Sequence, residues 1–184
     1  MEKTSSKSSQ EATELLMADH KKVQKMFKDF EKIEDEDEKF DVVAQICTEL
    51  TIHAQIEEEI FYPAVRAAID DDDLMDEAAV EHQEAKELIS QLQSMEPGDE
   101  LYDAKVTVLG EYVGHHIEEE QNEMFPKAKK AKVDLDSLGQ QLVQRKEELQ
   151  SELGMAEASS GATRTRSGSS SRKSSSSPSR RGSH

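Results

Sequence analysis

Tryptophan is absent from the 184-residue chain, Cys47 is its single cysteine, and only four prolines interrupt it. One cysteine excludes an internal disulfide and leaves no thiolate set for an iron–sulfur cluster. Cys47 reads as a small apolar filler, and the setting expected is cytoplasmic. No apolar run approaches the ~20 residues that a membrane helix needs, so no membrane partner is expected. The first ten residues are polar and carry no hydrophobic leader segment.

Charge, by contrast, is abundant and segregated. Charged residues make up 34% of the chain and hydrophobic residues another 34%, the balance of a helical protein with solvated outer faces. From Met155 to His184, six Arg and Lys oppose only Glu157, which leaves −22 on residues 1–154 against an overall −17. An acidic body repels nucleic acid, so no nucleic-acid partner is expected for the folded part. Twelve of the last thirty residues are Ser, with Arg, Gly and Pro between them. Such a segment buries too little apolar surface to offset its conformational entropy and is expected to be disordered over 155–184, as are residues 1–10. What the tail contacts is open.

Apolar residues recur at helical spacing through five stretches. The first starts near Glu11 and carries Leu15, Leu16, His20, Val23, Phe27 and Phe30. The acidic run Glu34 to Glu38 ends it. The second holds Val43, Ile46, Leu50, His53, Ile56 and Glu57 and reaches Pro63, which ends or kinks it. Asp70 to Asp73 starts a third, with Leu74, Met75, Ala78, His82, Ala85 and Leu88. Pro97-Gly98-Asp99 is a turn. The fourth carries Leu101, Val108, Leu109, Tyr112, Val113, His116 and Glu120, to about Ala131. A shorter amphipathic stretch, 132–154, carries Leu135, Leu138, Leu142, Val143 and Leu149 and ends at Gly154. The fold class expected is all-α: an up-down-up-down four-helix bundle over 11–131 with one short extra helix.

The histidines fall into register across the loops. Midpoints between His20 and His53 (36.5), His53 and His82 (67.5), and His82 and His116 (99) all lie in or near the three expected turns. Antiparallel helices joined there bring the four histidines to one height. His53 and His116 are each followed four residues later by Glu57 and Glu120, on the same helical face. His-x-x-x-Glu recurs at an offset of 63 residues and the lone histidines at 62, so the halves are duplicated hairpins. Imidazole with carboxylate suits iron, manganese or zinc, and a carboxylate can bridge two ions. The ferritin-type Glu-x-x-His is missing, since Met17, Leu50, Ala79 and Val113 stand three residues before these histidines.

The pattern His, His-x-x-x-Glu, His, His-x-x-x-Glu, with an aromatic-proline ending (Phe61-Tyr62-Pro63, Phe125-Pro126), resembles the hemerythrin-like HHE cation-binding domain over Glu11 to Ala131. The resemblance implies a cofactor of two non-haem iron ions, oxo- or hydroxo-bridged. It implies His20 and His53 on one iron, His82 and His116 on the other, and bridging Glu57 and Glu120. The ligand implied is O2, peroxide or nitric oxide. The chain departs from oxygen-carrying hemerythrins at two places: Lys86, or Ala78 on the other side, stands one turn along the third helix where they have a second histidine, and Glu120 where they have an aspartate.

His115 with Glu119 repeats the spacing next door, but only His116 matches the ten-residue distance to proline of His53–Pro63; His115 is read as a surface residue. Glu58, Glu59, Glu81 and Glu119 are read as solvated or as orienting imidazoles. Phe61, Tyr62, Met124 and Phe125 are read as packing; Tyr112, one turn before His116, is read as core packing, with an orientation towards the site as the alternative. Ile56, Ile60, Leu109 and Val113 are read as the layer limiting water access. The functional expectation is a metal- and ligand-binding protein rather than a dedicated enzyme. The alternatives are a peroxide-decomposing or nitric-oxide-handling enzyme and a metal-free helical interaction module.

Overall fold

A computed structural model describes residues 10–164, with side chains through Gly154. Every regular element among them is helical. Four long helices form the up-down-up-down bundle: α1 (Ala12–Phe30), α2 (Glu36–Ile56), α4 (Asp72–Leu92) and α5 (Tyr102–Glu119). Contacts tie α1 to α2 and α4 to α5 as hairpins, and α1 to α5 and α2 to α4 across the bundle. Two of the expected acidic breaks act as caps. The Asp35 carboxylate accepts the Glu38 N–H at 3.0 Å and Asp71 accepts that of Leu74 at 3.3 Å, which fixes where α2 and α4 begin. Gly98, at φ 92°, turns the chain between α4 and α5. Leu101 is mostly solvent-exposed rather than core, and Tyr102 is buried in its stead.

α2 does not stop at Pro63, and α5 does not run unbroken to Ala131. Each passes through one wide π-turn (Glu57–Phe61 and Glu120–Met124) and resumes as α3 (Tyr62–Arg66) and α6 (Phe125–Lys130). In each π-turn the bond closes five residues back, Tyr62 N–H to the Glu57 carbonyl and Phe125 N–H to that of Glu120. Pro63 and Pro126 follow immediately. Proline lacks an N–H and crowds the carbonyl four residues back, which lies inside the widened turn.

Towards the α1–α2 loop, Phe30, Ile46, Leu50, Leu92, Tyr102 and Leu109 pack a continuous apolar core. Cys47 sits within it, and burial pushes its thiol up to about 11. Beyond the histidine layer, Leu16, Phe61, Val65, Met124 and Phe125 are buried at the other end. The histidines therefore lie between two dry layers.

The last helix, α7 (Leu135–Arg164), buries Leu135, Leu138, Leu142 and Leu149. It continues past Gly154, where the sequence pattern placed its end. A single glycine costs about 1 kcal/mol in a helix, and the Met155-Ala156-Glu157-Ala158 that follows propagates well. Of the segments expected to be disordered, 1–10 and 155–184, residues 1–9 and 165–184 lie outside the described residues, and 155–164 are helical. No described helix is long and apolar enough to cross a membrane.

Gly139 shows how closely α7 meets the start of α1. A Cβ there would lie 2.2 Å from the Gln10 carbonyl oxygen and 3.0 Å from the Ala12 nitrogen. Gly139→Ala should therefore destabilise the protein by about 1–3 kcal/mol despite alanine's better helix propensity, read as a lower urea midpoint. A stabilised variant would show that α7 does not seat on the backbone at Gln10–Ala12.

Candidate metal centre

The register of the four helices brings His20 (α1), His53 (α2), His82 (α4) and His116 (α5) into one buried layer, and Glu57 and Glu120 with them. All four imidazoles turn Nε2 inward. Those of His20 and His53 lie 3.0 Å apart and those of His82 and His116 3.1 Å apart. Glu57 reaches both pairs, Oε1 at 3.2 Å from His53 Nε2 and Oε2 at 3.4 Å from His82 Nε2. Glu120 does likewise through Oε2, 3.2 Å from His20 and 3.6 Å from His116. The ligand atoms of His20, His53, Glu57 and Glu120 lie within 4.8 Å of one another, as do those of Glu57, His82 and His116. Glu57 is common to both groups.

Three of the outer nitrogens have a hydrogen-bond partner outside the layer, and that of His53 has only the charge of Asp19 nearby. His82 Nδ1 lies 2.9 Å from Glu58 Oε1 and His116 Nδ1 2.7 Å from Glu81 Oε2. A carboxylate accepting from Nδ1 makes Nε2 the nitrogen that a cation can take. The Gln121 amide lies 3.0 Å from His20 Nδ1. Asp19 Oδ2 stands 3.7 Å from His53 Nδ1, and its other oxygen is held by Lys146 of α7. Sequence reasoning found Glu58 and Glu81 but not Asp19 or Gln121, which adjoin His20 and Glu120 in the chain. Glu59 instead pairs with Arg145 at the surface.

Tyr62 is the residue the spacing hid. Its hydroxyl donates to Glu120 Oε1 at 2.9 Å and lies 3.1 Å from Nε2 of both His82 and His116. In an unbroken α-helix Tyr62, five residues after Glu57, would turn away from it. The extra residue of the π-turn sets it where i+4 would lie. A proline late in an apolar helical pattern, in both halves, was the available signal. The equivalent Phe125 stacks on His20, ring centroids 6.0 Å apart and planes 4° from parallel. The duplicated halves thus differ by one hydroxyl. Phe61, Met124 and Phe125 pack the bundle end as expected, whereas Tyr62 belongs to the site.

Burial alone would raise the Glu57 carboxyl, but the charge and contact of His53, reinforced by His82, hold it well below the usual carboxylate range. Burial would lower His53, yet Glu57 and then Asp19 push it up to about 10. His82 rises to about 9, its desolvation outweighed by Glu57 and Glu58. Burial, then the charges of Glu120 and Glu57, lifts the Tyr62 phenol well above its ordinary value.

Even so, both Glu57 oxygens and Glu120 Oε2 are buried without an aligned hydrogen-bond donor. An unsatisfied buried carboxylate is costly, and a cation would satisfy the whole donor set at once. The residues present fit two such ions.

A cavity of about 40 Å³ opens beside the histidines, its wall almost wholly apolar through Val23, Leu50, Ala85, Ile89 and Val113. That is room for a ligand of about two or three heavy atoms. Of the expected water-limiting layer only Val113 lines it; Ile56 and Leu109 are buried elsewhere and Ile60 is half-buried. Tyr112, expected in the core, is about half exposed at this cavity. Lys86 also lines it and donates to both Glu58 oxygens at 2.6 Å. His115 is 63% exposed, beside Glu119 and Glu81, so His116 and Glu120 are the buried pair.

The hemerythrin HHE cation binding domain family matches the chain over residues 11–128. A solved Mycobacterium kansasii protein containing a hemerythrin HHE cation-binding domain shares the fold, with TM-score 0.67, 23% identity, and coverage of 78% of this chain and 89% of that one. A protein of Nostoc sp. named "DNA nickase" is 30% identical over 112 residues. The match takes in 61% of this chain, which spans only 32% of that relative's length.

Protons held by His53 and His82 below about 10 and 9 must leave when a cation takes their Nε2 lone pairs. Metal uptake at pH 7 should therefore acidify an unbuffered solution, by up to about two protons per chain, and affinity should rise with pH across that window. Uptake without proton release would show that the two imidazoles are neutral beforehand.

Proposed function

The chain belongs to the hemerythrin HHE cation-binding family, and we propose that its buried histidine–glutamate layer holds two non-haem irons and binds O2, peroxide or nitric oxide beside them. The supporting observation is the convergence of six donors, among them three buried carboxylate oxygens with no aligned hydrogen-bond donor. His20 and His53 would hold one iron, His82 and His116 the other, with Glu57 and Glu120 between them. When bound, the iron pair supplies open coordination positions and one-electron chemistry at the cavity floor.

The chain's own residues do the rest. Glu58 and Glu81 orient two imidazoles, and the apolar wall admits a small ligand while disfavouring bulk water. The phenol of Tyr62 is a seventh donor, able to ligate or to give up a proton. That hydroxyl, with Lys86 in place of a second histidine, favours redox handling of peroxide or nitric oxide over reversible oxygen carriage. The acidic body disfavours a nucleic-acid role; the nickase name belongs to a relative of which this chain spans a third. The single buried cysteine fits a cytoplasmic setting.

Purified protein should contain close to two irons per chain, and the paired replacement His53→Ala/His116→Ala should lose most of it. Tyr62→Phe should keep the iron but lose any visible phenolate-to-iron charge-transfer band. A wild-type protein that is metal-free, fully helical and takes up no iron on anaerobic reconstitution would leave the metal-free interaction module.

A further inference from the structure

The inner ligand set has an outer copy shifted by one residue. Glu81, His115 and Glu119 precede His82, His116 and Glu120, and one step along a helix turns a side chain by about 100°, from the bundle interior to its flank. Across the α4–α5 seam, His115 Nε2 lies 3.6 Å from Glu81 Oε1 and 3.4 Å from Glu119 Oε1. Ligand atoms from all three lie within 4.8 Å of one another. One imidazole and two carboxylates suit a borderline divalent cation, with water completing its coordination.

Two further observations set this trio apart from an ordinary surface pair. Glu81 is shared: its Oε2 accepts from Nδ1 of His116 at 2.7 Å, while Oε1 faces His115. Glu81 also lines the cavity that leads to the four inner histidines. The outer trio therefore meets the cavity through Glu81. Glu77 and Glu123 add negative charge close to Glu119. Such a field concentrates cations there.

We propose that Glu81, His115 and Glu119 form a second, solvent-facing divalent-cation site that captures ferrous iron and feeds the buried centre through the cavity. Capture stands on its own geometry, whereas the feeding role rests on the buried di-iron reading. Glu81 is the hinge between them, because one carboxylate serves both the captured cation and the imidazole of His116.

Cobalt(II) is the probe, titrated into the full chain with excess Mg2+ to occupy sites made of carboxylates alone. Wild type should bind three Co2+, and His115→Ala/Glu119→Gln, with Glu81 kept, should bind two. Equal stoichiometry in the two proteins overturns the outer site. If wild type binds one and the variant none, the outer site stands and the buried di-metal reading falls; if neither binds, both fall. Under anaerobic, limiting Fe2+, the variant should fill the buried centre about tenfold more slowly than wild type. Equal filling rates overturn the feeding role.

Discussion

Two carboxylates, Glu57 and Glu120, sit in the middle of a helical bundle with essentially no exposure to water. Removing a carboxylate from water is among the most expensive things a fold can do unless the charge is matched. Everything around these two groups follows from that constraint. Four imidazoles face them, a tyrosine hydroxyl donates to one, and the outer nitrogens of His82 and His116 are held by further carboxylates. Oxygens on both glutamates still lack an aligned hydrogen bond. A structural histidine cluster would have little need of so many acceptors pointed at one another, whereas a pair of cations would be satisfied by this set.

The backbone is shaped to the same end. Both helices that carry a His-x-x-x-Glu pair widen at the glutamate and resume at an aromatic-proline step. The widening lets a proline sit within a helical rod, and it redirects the aromatic side chain into the site. In one half that side chain is Tyr62, with a hydroxyl between His82, His116 and Glu120; in the other it is Phe125, a flat face for His20. A duplicated scaffold thereby yields a chemically unequal pair of positions. α7, which lies beyond the family match, reaches the same layer through Lys146 and Asp19.

The bundle and the convergence of His20, His53, Glu57, His82, His116 and Glu120 were legible because helix periodicity, acidic turns and loop midpoints are local or arithmetical properties of the chain. The acidic runs Glu34 to Glu38 and Asp70 to Asp73 marked the loops that put His53 and His82 at one height. Tyr62 was not legible, because spacing arguments assume an unbroken α-helix and the π-turn shifts every later residue by one position. Tyr112 was misread for a different reason: its period matched the core face, but it lies at the open side of the cavity. Asp19 and Gln121 could not be ranked among the many acidic and polar residues without the packing that sets them against His53 and His20.

The central claim is that this layer is a two-metal site. Anomalous diffraction at the iron edge from crystals of the iron-loaded protein tests it most directly. The account requires two peaks about 3.5 Å apart, one against His20 and His53 and one against His82 and His116, with Glu57 between them. A single peak, or iron found only at surface carboxylates, would contradict it.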